Sequence, residues 1–108
     1  MIRKKIEALD EEDRRALQYA SIEGEEFLST VLAQLLGVEE LEVEERLARL
    51  DKVHRLIETR SEEELPDGAL ATQYRFAHAL YQNFLYDELV SKRRVLLHRQ
   101  AGEQLLRH

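Results

Sequence analysis

The stretch "YRFAHALYQNFLYDELV" at residues 74–90 decides the fold, because its hydrophobic period changes halfway. Up to Phe76 the residues alternate as in a strand, with Tyr74 and Phe76 on one side. From Ala77 the apolar residues recur at helical spacing. The stretch therefore predicts a strand that passes directly into a helix, with His78 at the junction.

The residues before this stretch predict the rest of a β-hairpin. "RLIETR" at 55–60 is rich in strand formers, and "LPDGA" at 65–69 has the composition of a turn. In that turn Pro presets φ, Asp hydrogen-bonds locally and Gly accepts positive φ. The strand "TQYRF" at 72–76 completes the hairpin. The glutamates at 62–64 are expected in its polar loop.

Three amphipathic helices precede the hairpin. The first has Asp10 as its N-cap and Asp13 in the capping-box position, and it ends near Gly24. The second is "EEFLSTVLAQLLG" at 25–37, and the third is "VEELEVEERLARLDKVH" at 38–54, whose glutamates are expected to face outward. The residues expected to face the core are Ala16, Leu17, Ala20, Phe27, Leu28, Val31, Leu32, Leu35, Val43, Leu47 and Leu50.

Two further helices follow the hairpin. Ser91 is expected to cap the second, which runs to "LLRH" at 105–108 as though a longer helix had been cut there. The residues expected to face inward are Leu80, Tyr81, Phe84, Leu85 and Leu89 in the first helix and Val95, Leu96, Ala101, Leu105 and Leu106 in the second.

Together these elements predict a mainly α fold with a small β-hairpin in a single domain, 1–108. The three short helices form a tri-helical helix-turn-helix core, and the hairpin adds a two-stranded wing. We therefore expect a winged helix over about residues 9–76, followed by a C-terminal helical pair over about residues 77–106.

Composition and charge exclude several classes of protein. No apolar run approaches the length of a membrane span, no apolar stretch follows the basic start as in a signal peptide, and there is no cysteine. These features predict a cytoplasmic protein without disulfides. The net charge of −6 divides into −7 over residues 1–51 and +1 over residues 52–108. The acidic front half argues against a large phosphate-binding surface there.

A winged helix raises the possibility of DNA binding, but the third helix opposes it. That helix would enter the major groove, and acids at its front would repel the phosphates. The acids in question are Glu39, Glu40, Glu42, Glu44 and Glu45.

No catalytic or metal-binding motif is present in the sequence. The four histidines form no H-x-x-x-H pair, and the serines lack a nucleophile-elbow context. The four scattered glycines form no phosphate loop. We expect neither a metal nor enzymatic activity in these residues.

His78 is the candidate functional residue. Helix N-termini expose unpaired N–H groups and attract phosphate, and a histidine there can donate a further hydrogen bond. The alternative is a core histidine whose ring is satisfied by packing. His98, among leucines, is interpreted in that second way, and the aromatic residues Tyr81, Phe84 and Tyr86 are interpreted as core.

Three segments resemble a known family. They are "YASIEGEEFLSTVLAQLLG", "LEVEERLARLDKVHRLI" and "YRFAHALYQNFLYDELVSKRRVLLHRQAGEQL". Together they are similar to the winged-helix segment of bacterial signal-transduction ATPases of the STAND class, over about residues 9–106. The most specific part is F-x-H-A-L at 76–80, followed by Tyr86 and by L-H at 97–98.

The resemblance implies a role inside a larger protein, such as a regulator with a LuxR-type, kinase or cyclase output. In this family the winged helix follows an AAA-type nucleotide-binding core and precedes helical repeats. A histidine that opens a helix contacts the β-phosphate of ADP there, in the "M-H-D" motif of the plant members. His78 matches that histidine, with Ala77 and Ala79 in place of Met and Asp.

The resemblance therefore implies that His78 senses ADP against Mg-ATP held by the parent protein, with Arg75 and Arg94 as candidate supporting contacts. The isolated domain would hold no cofactor of its own. Two alternatives remain open: a protein–protein scaffold that joins the ATPase to the downstream repeats, and a DNA-binding winged helix.

Overall fold

The computed structural model describes residues 2–68, 70–89 and 91–107. Over these residues the chain is mainly helical, with one small antiparallel sheet. The helices are α1 Ile2–Glu7, α2 Glu11–Ala20, α3 Ser29–Leu36, α4 Glu40–Arg49, α5 Ala79–Glu88 and α6 Ser91–Arg107. The strands are β1 Glu26–Leu28, β2 Ile57–Glu64 and β3 Leu70–Phe76. A 3₁₀ turn, Ser21–Glu23, follows α2, and a π-helical turn, Leu50–His54, follows α4.

The sheet has three strands in the order β1-β3-β2, so the expectation of only two was wrong. Phe27 pairs with Tyr74 across β1 and β3, whereas the second helix was expected to include Phe27. The centroid of the Phe27 ring lies 5.7 Å from that of Tyr74 and 5.3 Å from that of Phe76. This buried contact and the strand pairing outweigh the local helical pattern. Helix α3 consequently begins only at Ser29.

The hairpin of β2 and β3 is confirmed, but its acidic residues lie in a strand. Glu62 pairs with Thr72 and Glu64 pairs with Leu70, so β2 runs through the expected loop. Both glutamates are exposed on an edge strand, where charge is tolerated. The side chain of residue 63 lies outside the described part of the structure.

Two hydrophobic clusters join the helices and strands of the described part of the chain. Ile6 of α1 is fully buried, so the packed unit begins before residue 9. Leu85 of α5 belongs to the same main cluster. A second cluster joins Leu97 and Ala101 of α6 to α3. The C-terminal helices are therefore part of the packed core and not an appendage.

Most of the expected core residues are buried, and Leu28 is half-buried. Leu85 and Leu89 are buried and Tyr81 and Phe84 pack on the core, but Leu80 is 50% exposed.

The expected inner face of α6 was wrong in part. Val95 and Leu96 are 58% and 53% exposed, while Leu97 and Ala101 are buried. Two apolar stripes run along α6. The stripe that includes Leu97 and Ala101 packs into the second cluster. The side chains of residues 105 and 106, also expected to face inward, lie outside the described part.

Asp13 links α2 to α4. The N-cap is confirmed, because Asp10 Oδ1 accepts a hydrogen bond from the N–H of Asp13 at 2.8 Å. The carboxylate of Asp13 itself is 3% exposed and accepts hydrogen bonds from the guanidinium groups of Arg46 and Arg49. A buried carboxylate with two cationic partners fixes the position of α4 against α2.

We expect Asp13→Asn to lower the free energy of unfolding by about 3 kcal/mol, because it leaves Arg46 without its buried counter-charge. Glu12→Gln is the matched control: Glu12 also binds Arg46, but its side chain is 80% exposed. Glu12→Gln should lower the free energy of unfolding by no more than about 0.5 kcal/mol. Urea unfolding of both variants measures the difference, and equal costs would show that Asp13 contributes no more than a surface pair.

Candidate functional site

His78 occupies the junction between β3 and α5. It is the N-cap of α5, with φ −147° and ψ 137°, and its Nδ1 accepts a hydrogen bond from the N–H of Leu80 at 3.1 Å. The His78 ring is exposed. Its centroid lies 6.2 Å from the centroid of the Tyr81 ring, in an edge-on arrangement. The interpretation of His78 as a packed core histidine is therefore wrong.

The capping bond decides which ring nitrogen carries the proton. A neutral imidazole has one donor and one acceptor nitrogen, so acceptance at Nδ1 assigns the proton to Nε2. Nε2–H is then the ring's hydrogen-bond donor, on an exposed side chain. Protonation of Nδ1 would remove the acceptor and with it the cap. The neutral ring can hold the helix and donate to a ligand at the same time.

The backbone that leads into the junction is held by hydrogen bonds. The N–H of Phe76 donates to the carbonyl of Glu25 at 2.9 Å, and the N–H of Ala77 donates to the carbonyl of Leu56 at 2.9 Å. The last two residues before His78 are thus bonded to the segments that lead into β1 and β2. His78 projects from a rigid support.

Arg75 and Arg94 lie at different ends of α5. Arg75, on β3, pairs with Glu58 at 3.5 Å, and its Nε is buried without a hydrogen-bond partner among the described residues. Arg94 donates to the carbonyl of Leu89 at 2.9 Å and lies 4.9 Å from the Tyr86 ring centroid. Tyr86 is eight residues beyond His78, which is roughly 12 Å along a helix. Of the two arginines, the structure brings only Arg75 towards the His78 end.

A shallow cleft of about 360 Å³ opens beside this junction, and Ala77 lines it. Asp51 in its wall accepts hydrogen bonds from the N–H and hydroxyl of Thr59. Lys52 and Arg55 also line it, and neither has an ion-pair partner within residues 2–68, 70–89 and 91–107. The carboxylates of Asp51 and Glu58 also line the cleft, so its charges balance, and its two cations without direct ion pairs are its candidate contacts for an anion beside the junction.

His98 is satisfied locally, as expected, but it is not buried. Its Nε2 lies 2.9 Å from the hydroxyl of Tyr86, and the ring is exposed. In the described part of the chain, no group of three His, Asp or Glu side chains is arranged to hold a metal ion. None of the helices in that part is long and apolar enough to cross a membrane.

The acids of α4 divide into two groups, so the expectation that all of them face outward was wrong. Glu40 accepts a hydrogen bond from the hydroxyl of Thr30 at 2.8 Å, and Glu44 accepts from those of Ser29 and Thr72 at 3.1 and 3.2 Å. These two carboxylates lie at the N-terminus of α3, where the helix dipole favours negative charge. The exposed acids are Glu39, Glu42 and Glu45.

Comparisons of the chain with protein-family models, with curated proteins and with solved structures find no match. The functional interpretation therefore depends on the residues and their geometry.

Sequence reasoning missed one titratable group, Glu23. Its Oε1 accepts a hydrogen bond from the N–H of Leu28 at 3.1 Å, and its Oε2 is buried with no hydrogen-bond partner among the described residues. Burial raises the pKa of this carboxyl to about 8, although the Leu28 N–H opposes the shift. No periodic or motif signal marks Glu23, since it lies in the 3₁₀ turn between α2 and β1.

We expect Glu23 to make the fold less stable as the pH rises. Its pKa is about 8 in the folded state against an ordinary value of 4.5, so unfolding releases its proton between those values. The free energy of unfolding contributed by Glu23 should therefore fall as the pH rises from about 4.5 to about 8.

Glu23→Gln should remove this contribution while keeping an acceptor for the Leu28 N–H. Thermal unfolding of both proteins between pH 5 and pH 8 should show the variant gaining stability relative to the wild type towards the basic end. Glu25→Gln, at an exposed position two residues away, is the control. A constant difference in Tm across that range would contradict the assignment.

Proposed function

We propose that this domain is a non-catalytic regulatory winged helix of a larger STAND-type ATPase in the cytoplasm. In this proposal it packs on the preceding nucleotide-binding core and distinguishes ADP from ATP. The order of its elements supports the winged-helix assignment: three helices, α2 to α4, then the β2–β3 hairpin, with β1 added to β3 between α2 and α3.

The observation that carries the proposal is the state of His78. The ring is exposed, its Nδ1 is held by the cap, and its Nε2–H is left to donate. Lys52 and Arg55 line the adjacent cleft together with Asp51 and Glu58, and in this proposal the two cations are the groups that would contact a nucleotide diphosphate. A phosphate that approaches here also meets the N-terminal end of α5.

The mechanism is a switch between two arrangements of the parent protein. ADP in the ATPase core accepts a hydrogen bond from His78 Nε2–H, and this contact holds the domain against the core. Exchange for ATP moves the phosphates and removes the contact, so the domain rotates away. One hydrogen bond to a charged group contributes about 1.5–3 kcal/mol, which biases the two states roughly tenfold to a hundredfold.

DNA binding is disfavoured by the exposed face of α4, where Glu39, Glu42 and Glu45 would meet the phosphates. Fluorescence anisotropy with duplex DNA at low salt should therefore show no binding by the isolated domain. Salt-dependent binding would instead favour the DNA-binding alternative.

We expect replacement of His78 in the ATPase-containing polypeptide to separate capping from sensing. His78→Ala removes both roles, whereas His78→Asn keeps an N-cap acceptor and removes the imidazole donor. His78→Ala should lower the stability of the isolated domain by about 1 kcal/mol, and His78→Asn should leave it nearly unchanged. Both should accelerate ADP release by about tenfold or more, measured with a fluorescent ADP analogue.

His98→Asn is the matched control, because His98 is an exposed histidine that binds only Tyr86 among the described residues. It should leave ADP release unchanged. A wild-type rate of ADP release in His78→Asn would contradict the sensing role. If only His78→Ala released ADP faster, His78 would act as a helix cap and not as a sensor.

A further inference from the structure

An exposed apolar pair with three exposed acids beside it lies at the start of α4, and its inner edge adjoins a pocket that Arg15 and Arg46 also line. Val38 is 40% exposed and Leu41 is 68% exposed. Glu39, Glu42 and Glu45 border them and are also exposed. We call these five residues the acidic patch. Leu41 and Glu45 are one helical turn apart and so lie side by side.

An apolar patch surrounded by bases lies near the start of α6. Val95 and Leu96, 58% and 53% exposed, follow Lys92 and Arg93 and precede Arg99. Lys92 and Arg99 are three or four residues from both apolar side chains, so they share a face with them. We call these five residues the basic patch. Its size and its apolar pair correspond to those of the acidic patch, and its charge is opposite.

The central helix α3 keeps the two patches apart. Leu32 and Ala33 of α3 belong to the cluster that buries Val43 and Leu47 of α4, whereas Val31 and Leu35 belong to the cluster that buries Leu97 of α6. Neighbouring residues of a helix point about 100° apart, so α4 and α6 pack on different sides of α3. Their exposed faces therefore look in different directions.

We propose that the acidic patch of one copy of this chain binds the basic patch of a second copy. One molecule offers both surfaces but, with α3 between them, does not bring them together. The contact is therefore head-to-tail, and it leaves one patch of each kind free for further copies. This interaction is separate from nucleotide sensing, since neither patch contains His78.

The contact is expected to be weak and sensitive to salt. Each patch offers only two large apolar side chains. The area that they can bury is far below the roughly 800 Å² per partner of a stable interface. The remaining attraction comes from exposed charges, which salt screens over about 10 Å at 0.1 M. Sedimentation velocity at low salt should show a weight-average mass that rises with protein concentration, and added salt should abolish the rise.

Charge reversal tests which surfaces meet. Glu42→Lys with Glu45→Lys makes both patches basic, and Lys92→Glu with Arg99→Glu makes both acidic. Each double variant alone should associate at least about tenfold more weakly than the wild type. An equimolar mixture of the two should associate again, because the unchanged basic patch of the first variant meets the unchanged acidic patch of the second, and the two reversed patches are also complementary. The quadruple variant should also regain self-association.

Glu62→Lys with Glu64→Lys is the control for Glu42→Lys with Glu45→Lys, since it makes the same change in net charge at exposed positions of β2. It should associate like the wild type, and circular dichroism should show that every variant is folded. A mass that stays monomeric at all concentrations at low salt would overturn the proposal. So would reversed variants that associate normally, or a mixture that gains nothing over its components.

Discussion

The pairing of β1 with β3 is the constraint on which the rest of the structure depends. Three residues of β1 convert a hairpin into a sheet whose central strand is β3, and they pack Phe27 against the rings of both Tyr74 and Phe76. Since β1 lies between α2 and α3 in the chain, this pairing fastens the hairpin to the helical core. The end of β3, and therefore the start of α5, is fixed with it.

His78 combines a structural role with a candidate functional role through its two nitrogens. Nδ1 closes the first turn of α5, and the proton is consequently assigned to Nε2. A serine or aspartate would cap the helix, but neither offers a neutral donor on the far side of a rigid ring. The rigid backbone before His78 supports this orientation. In the proposed switch, the residue that reads the phosphate is thus also the residue that orients the helix beneath it.

Periodicity was sufficient to predict the large elements and most of the core. The α2 stripe, the β2–β3 hairpin and the strand-to-helix change at His78 follow from hydrophobic spacing and turn residues. Strand β1 did not, because three residues are too few for a period and its pairing is with residues far along the chain. In α6 two apolar stripes compete, and only the position of α3 decides that Leu97 is buried and Val95 is exposed.

The candidate site was also only partly predictable, because much of it depends on contacts between residues far apart in the chain. The position of His78 at a helix start is a local property, whereas its cap, the adjacent cleft and the separation of Arg94 depend on tertiary packing. The burial of Glu23 likewise depends on the chain around the turn that follows α2. Local sequence does not show which carboxyl group is desolvated by burial in the folded protein.

The state of the His78 ring is the quantity that tests the account most directly. Long-range ¹H–¹⁵N correlation spectra of the isolated domain, with the imidazole neutral, report which ring nitrogen carries the proton. We predict a protonated Nε2 and an unprotonated Nδ1 that is coupled to the Leu80 amide. A proton on Nδ1, or equal population of both tautomers, would contradict the cap and remove the outward-facing donor.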